Sequence, residues 1–150
     1  MSAAERLHTE LAAVMASGNE TATAFPSGDD LLQWRGTIVG GEGTPYAGQT
    51  YRLRLVFPKT YPFSPPNVTF TTPIFHPNVD LSGVICLDIL EDEWSPSLTV
   101  QTVLLSLQSL LADPNGDSAL NADAARLWSD PVEFARVNAE RYAGARVAER

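Results

Sequence analysis

"YPFSPPNVTFTTPIFHPNVDLSGVICLDIL", residues 61–90, is the stretch on which the reading of the fold turns. It begins with a stiff, irregular connection. Pro58 just upstream, then Pro62, Pro65 and Pro66, each fix φ and remove a backbone donor. "NVTFT" (67–71) follows, alternating Val68 and Phe70 with Asn67, Thr69 and Thr71, the period of a half-buried strand. From 72 to 98 neither a helical nor a strand period is sustained. A long irregular stretch inside a compact domain is a usual seat of function. This one holds the chain's single cysteine, Cys86.

The flanking segments are periodic. Upstream, "QWRGTIV" places Trp34, Gly36 and Ile38 on one side, and "YRLRLVF" does the same with Tyr51, Leu53, Leu55 and Phe57. "GGEGTPYAG" (40–48) between them reads as a turn region. These three strands predict an antiparallel meander with one covered face. Residues 2–16 read as a helix with Ser2 and Glu5 as a capping box and Leu7, Leu11, Val14 and Met15 on the buried face; Gly18-Asn19 ends it. Downstream, "TVQTVLLSLQSLL" has a wide apolar stripe at Val100, Val103, Leu104, Leu107, Leu110 and Leu111, stopped by Asp113-Pro114. Asn121 is placed to cap a short helix ending near Trp128, and Asp130-Pro131 with Glu133 starts a last one. Helix, strands, long loop and helices in that order predict an α+β fold. With 150 residues, no linker and no repeat, a single domain over 1–150 is expected.

Composition narrows the function. A net charge of −8 argues against nucleic acid, which is held through clustered Lys and Arg. No apolar run approaches a membrane span, and "MSAAERLHTELAAVM" lacks the form of a signal peptide. One cysteine excludes an internal disulfide framework, and with two histidines it cannot supply the usual zinc ligand sets, so no metal is expected. The expectation is a soluble intracellular protein, cytoplasmic or nuclear.

Cys86, in "GVICLDI", is open to two readings: a small buried hydrophobe, or a nucleophile. A protease-like thiolate needs a neighbouring cation or a helix N-terminus. From Thr60 through Ala125 there is neither Lys nor Arg, and Asp80, Asp88, Glu91, Asp92 and Glu93 surround the cysteine in sequence. That setting suits exchange with an already activated thioester better than attack on an amide.

Taken together, the quoted stretch, "WSPSLT" and "LLSLQSLLADPN" resemble the ubiquitin-conjugating enzyme family. The specific features are the His-Pro-Asn run, the Cys eight residues after its Asn, the Trp-Ser-Pro eight residues beyond the Cys, and a following helix ending in Asp-Pro-Asn. The resemblance runs from the first helix to the last. It implies the ubiquitin-conjugating (UBC) form of the α+β class: a four-stranded antiparallel sheet with an N-terminal helix, a central helix and two C-terminal helices. It also implies an enzyme that takes ubiquitin from an activating enzyme as a thioester and passes it to a lysine amine with a RING-type ligase. No cofactor is implied, because the activating enzyme consumes the ATP. The alternatives are an enzyme for another ubiquitin-like modifier, a non-catalytic binding module, which would lack the cysteine, and a cysteine hydrolase using Cys86 with His76. A SUMO-conjugating reading is disfavoured, since those relatives are basic and carry an insertion before the Trp.

Matched residue by residue, Cys86 takes the thioester position and Asn78 that of an oxyanion donor, or of a brace for its own loop. Ser118 and its neighbour Asp117 stand where the acceptor amine approaches, or simply form a turn. His76 and Pro77 read as structural support, and Asp88 as a contact for the ubiquitin tail or a solvated carboxylate. Phe63, Pro96 and Ser97 match the ligase-docking loops, although many relatives have Ala at Ser97. Arg6 matches a contact for activating enzyme and ligases, with Glu5 and Thr9 standing where relatives often have Lys. Leu105, Gln108 and Ser109 match a donor-ubiquitin surface, and Thr23 a second ubiquitin contact on the sheet. "AFPSGDDLLQW", "LLSLQSLL" and "AARLW" further resemble the cyclin-selective branch that works with the anaphase-promoting complex. That branch commonly carries a segment ahead of the first helix and lacks the Ser95-Pro96-Ser97 run kept here.

Overall fold

The structure, a computed structural model, describes residues 1–148, with side chains through residue 144. Helix α1 (Ala3–Ala16) leads into strands β1 (Ala22–Ser27), β2 (Asp30–Val39), β3 (Thr50–Val56) and β4 (Asn67–Phe70). After a long loop come α2 (Val100–Ala112), α3 (Ala122–Leu127) and α4 (Pro131–Ala148). The strands form one antiparallel sheet in chain order.

The alternation in the sequence decides the two faces of that sheet. Trp34 sits opposite Leu55, Ile38 opposite Tyr51 and Leu53 opposite Phe70, all of them buried. Burying each such side chain is worth roughly 1.5–3 kcal/mol. Leu7 and Val14 of α1, and Val103, Leu104 and Leu107 of α2, join the same core. Thr23, Thr37, Arg35, Arg52 and Arg54 lie on the opposite face.

Strand β1 is the element that the pattern of the chain does not announce. "ATAFPS" is short, holds two alanines, and contains Pro26, which has no N–H to donate and which an edge strand tolerates. The caps are as expected: Ser2 accepts from Glu5 N (3.1 Å), Asn121 from Ala124 N (3.1 Å) and Asp130 from Glu133 N (3.3 Å). One expectation on α1 is corrected. Met15 is 66% exposed, while Glu10, which apolar periodicity passes over, is 5% exposed.

Tyr46, inside the Gly-rich turn region, is fully buried and donates its hydroxyl to Phe75 O (2.6 Å). The chain folds so closely here that a Cβ on Gly40 would lie 1.9 Å from Tyr46 O. Tyr46 thereby becomes a post against which the 72–79 segment packs, which is how the turn region reaches the functional loop.

Candidate active site

The loop after β4 is ordered by short-range polar contacts in place of a secondary-structure period. Asp80 Oδ1 accepts from Ser82 N (2.8 Å) and Val84 N (2.9 Å), the side-chain turn to which aspartate is suited. Gly83 has φ +90°, and a Cβ there would lie 2.0 Å from Phe70 O. Only glycine fits that backbone and that approach. The turn brings Ile85 back beside Val79 and sets Cys86 N on Asn78 O at 2.8 Å. Sequence position 86 is thus bound to position 78 through the main chain.

The side chain of Asn78, fully buried, reaches the other way. Its Oδ1 accepts from Asn115 N (2.8 Å), and its Nδ2 donates to Asn115 O (2.8 Å) and Ser118 O (2.9 Å). The carbonyl of Pro77 accepts from Leu120 N (2.8 Å) and Asn121 N (3.1 Å). One short run of sequence therefore holds both walls of a groove: Cys86 on one side through main chain, the 115–121 loop on the other. The groove has a volume of about 240 Å³ and is lined by Cys86, Leu87, Asp88, Ser106, Ser109, Leu110, Asp113 and Asn115. Cys86 is partly exposed on it, so the buried-packing reading does not describe it.

His76 sits beneath, without exposure, its ring 5.9 Å from Tyr46 and 6.2 Å from Trp128. Its Nε2 lies 2.7 Å from Leu110 O, and its Nδ1 accepts from Asn78 N at 2.9 Å. Burial holds the imidazole down to about 4 from an ordinary 6.5, against the pull of the Leu110 carbonyl. The neutral form with hydrogen on Nε2 satisfies both bonds. With both nitrogens used, His76 is no base for Cys86, and a hydrolase pair of the two is not assembled.

The remaining predicted residues fall into distinct places. Ser118 is half-buried and Asp117 exposed, with Asp117 N donating to Asn115 Oδ1 (3.0 Å). Asp88 is exposed and starts a short 3₁₀ turn (Asp88–Leu90), accepting from Ile89 N (2.8 Å). Leu105 is 46% exposed beside Ser109, so it is not a core residue. Gln108 turns away and donates to Thr21 Oγ1 (3.0 Å) at the start of β1. Phe63 is 77% exposed, so it is not part of the aromatic core. Its loop is tied to the one that carries the exposed Pro96 and Ser97, because Trp94 Nε1 donates to Pro62 O (2.8 Å). Arg6 is not a free surface cation: Nε pairs with Glu10 (2.9 Å), and Nη2 donates to Pro96 O (2.9 Å) and Leu98 O (3.1 Å).

Sequence reasoning missed Ser106, Asp113, Asn115 and Glu10, and took Glu91 only as one of five carboxylates near Cys86 in sequence. Ser106 and Ser109 are spaced i, i+3 on α2, with Asp113 at its C-cap, and that polar edge could have found Ser106 and Asp113. Glu91, with Oε2 4.0 Å from Cys86 Sγ, has no such signal. Among the described residues no group of His, Cys, Asp and Glu is placed to hold a metal ion. No described helix is long and apolar enough to cross a membrane.

The chain is similar to known proteins of one kind. Residues 6–142 match the family model described as ubiquitin-conjugating enzyme. A fission-yeast (Schizosaccharomyces pombe) protein called ubiquitin-conjugating enzyme E2-20 kDa is 52% identical over 143 residues, covering 94% of this chain and 81% of that protein. Among solved structures, the E2 domain of a Toxoplasma gondii ubiquitin conjugating enzyme superposes with a TM-score of 0.83 at 39% identity, covering 93% of this chain and 96% of that one.

Proposed function

The chain belongs to the ubiquitin-conjugating enzyme family and is a transferase acting with ubiquitin, an activating enzyme and a ligase, and from that premise we propose that Cys86 carries ubiquitin as a thioester and yields it to a lysine amine under a RING-type ligase. The observation that carries this reading is the partly exposed sulfur on an open groove whose two walls are both held by Asn78.

The chemistry is exchange at an activated carbonyl. In loading, the Cys86 sulfur attacks the thioester carbon offered by the activating enzyme, and that enzyme's thiolate leaves. In transfer, the neutral lysine nitrogen attacks the new thioester. A tetrahedral oxyanion forms and then collapses, expelling the Cys86 thiolate, and the amine gives up a proton. Asp117 and the Ser118 hydroxyl, in the loop that Asn78 braces, orient the amine or take that proton. Asn78 acts first as the brace of this wall. For it to donate to the oxyanion, one Nδ2 hydrogen must leave Asn115 O or Ser118 O. An oxyanion donor is worth about 3–4 kcal/mol of barrier, which exceeds the roughly 1 kcal/mol held by the bond given up. Phe63 and Pro96 form the apolar anchor for the ligase, with Ser97 beside them. The cyclin-selective resemblance extends the proposal to the anaphase-promoting complex.

Incubation with ubiquitin, activating enzyme and ATP, followed by a gel without reductant, tests the core of this. A band heavier by one ubiquitin, removed by reductant and missing in Cys86→Ala, is expected. Absence of that band in the unmodified chain would refute the proposal. Release of the loaded ubiquitin by each member of a ligase panel, the anaphase-promoting complex included, identifies the partner.

A further inference from the structure

Beneath the exposed Phe63 and Pro96 lies a buried carboxylate whose contacts the transfer chemistry does not require. Glu10, on α1, accepts from Val100 N at the start of α2 through Oε1 (2.6 Å). Its Oε2 accepts from the Tyr61 hydroxyl (2.5 Å) and from Arg6 Nε (2.9 Å). Arg6 then reaches on to Pro96 O (2.9 Å) and Leu98 O (3.1 Å), and its guanidinium carbon lies 5.8 Å from the centre of the Tyr61 ring. Burial, reinforced by the bond to Glu10, pushes the Tyr61 phenol well above its ordinary range, so it stays a donor. Three pieces of chain meet at this one side chain, α1, the proline connection and the first residue of α2, and Arg6 ties the turn before α2 to them.

A buried charge costs several kcal/mol in desolvation, and well-packed apolar residues of equal volume often stabilise as much or more. The network is therefore poorly explained as a source of stability. Its distinctive property is geometric: three donors arriving from three directions allow one arrangement of the loops. An apolar anchor split across two loops binds weakly if the loops must be ordered at the moment of docking, and more tightly if that order already exists.

We propose that Glu10 is the positioning residue of the ligase-docking surface. It holds Arg6, Tyr61 and the 96–98 turn in the one arrangement that spaces Phe63 and Pro96 for a ligase. This rests on the reading of that surface given under the proposed function.

The test is single-turnover release of preloaded ubiquitin to free lysine, titrated with a RING ligase that stimulates the unmodified chain. Preloading removes any effect on the activating enzyme. Glu10→Gln keeps an acceptor for Val100 N and opposes a new donor to Arg6. It is expected to raise the half-saturating ligase concentration about three- to tenfold, the cost of re-ordering one long side chain on docking, with the saturated rate retained. Tyr61→Phe keeps the ring against Phe57 (4.9 Å) and Trp94 (5.9 Å) and is expected to shift the same constant in the same direction by less. It carries the test alone should Glu10→Gln not fold. Arg6→Ala combined with Glu10→Gln should be less than additive. A fall in the saturated rate with an unmoved half-saturating concentration would overturn the positioning role. So would unmoved concentrations in both Glu10→Gln and Tyr61→Phe while Phe63→Ala weakens docking. If Phe63→Ala leaves the titration unchanged as well, the docking surface itself is misassigned and the inference goes with it.

Discussion

Acid should destabilise this protein through His76, by an amount that follows from its surroundings. The folded imidazole is held at about 4, whereas an unfolded chain returns it to its ordinary 6.5. Between those values the unfolded state binds the proton and the native state does not, so stability falls as pH falls. The contribution is complete above pH 6.5 and fully lost below about pH 4. The gap between the two values corresponds to about 3 kcal/mol in all, of which about 2 kcal/mol is lost by pH 5. For a chain of this size that is a fall of about 4–8 °C in Tm from this group alone. Protonation at Nδ1 would also turn a donor against the Asn78 N–H that now bonds it. The groove is undone from below, because the same residue holds both walls. The assay is urea unfolding at pH 7, 6 and 5, with His76→Gln as the non-titrating comparison, beside an NMR titration of the imidazole. The slope of the comparison variant should be shallower by about 2 kcal/mol over that range. An imidazole in the folded protein that titrates near 6.5, or equal slopes in the two proteins, would refute the argument.

Asn78→Ala removes three hydrogen bonds of one side chain, which is about 2–4 kcal/mol of local stability. Hydrogen exchange at the Asn115 amide should accelerate far more than exchange in β3, and a uniform change would contradict the brace. Gly83→Ala forces a Cβ to within 2.0 Å of Phe70 O at φ +90° and should cost at least about 2 kcal/mol, read from the urea midpoint. Its loading rate should fall as well, because the turn delivers Cys86 to the groove. Lys59 is the only lysine and is exposed, so self-modification should map to Lys59 and the α-amine alone, and several further sites in mass spectrometry would contradict this.

The fold could be read from the chain wherever burial follows a period. Trp34, Gly36 and Ile38 in β2, and the six apolar positions of α2, are buried as their spacing requires. β1 escaped because alanine and proline carry little strand signal, and its place is fixed by pairing with β2. Glu10 escaped for the opposite reason: a charge at a core position contradicts the apolar pattern, and its burial is tolerable only because Arg6 one turn back and Tyr61 and Val100 from distant segments all donate to it. The site was legible as a set of residue types, Cys86 with Asn78 and His76. Their mutual geometry was not, since it depends on bonds between residues 37 and 40 positions apart.

What the geometry adds is a reason for a sulfur with so little help. A hydrolase must generate a strong nucleophile and therefore surrounds its cysteine with a base. Here the one imidazole of the loop is buried and neutral, no Lys or Arg occurs from Thr60 to Ala125, and Glu91 is 4.0 Å from the sulfur. In the proposed role one thioester is exchanged for another, a step close to balanced on a substrate that arrives already activated. A modest nucleophile is sufficient, and it leaves little capacity for attack on ordinary amides. The groove then needs only to be open, correctly spaced and rigid. Rigidity is what the polar contacts supply at two depths: Asn78 fixes the walls around Cys86, and Glu10 ties α1 to Tyr61 and Val100 beneath the proposed ligase-docking loops. Both are buried amide or carboxylate groups with every bond satisfied, and such groups hold one arrangement because any other leaves a donor or acceptor unpaired.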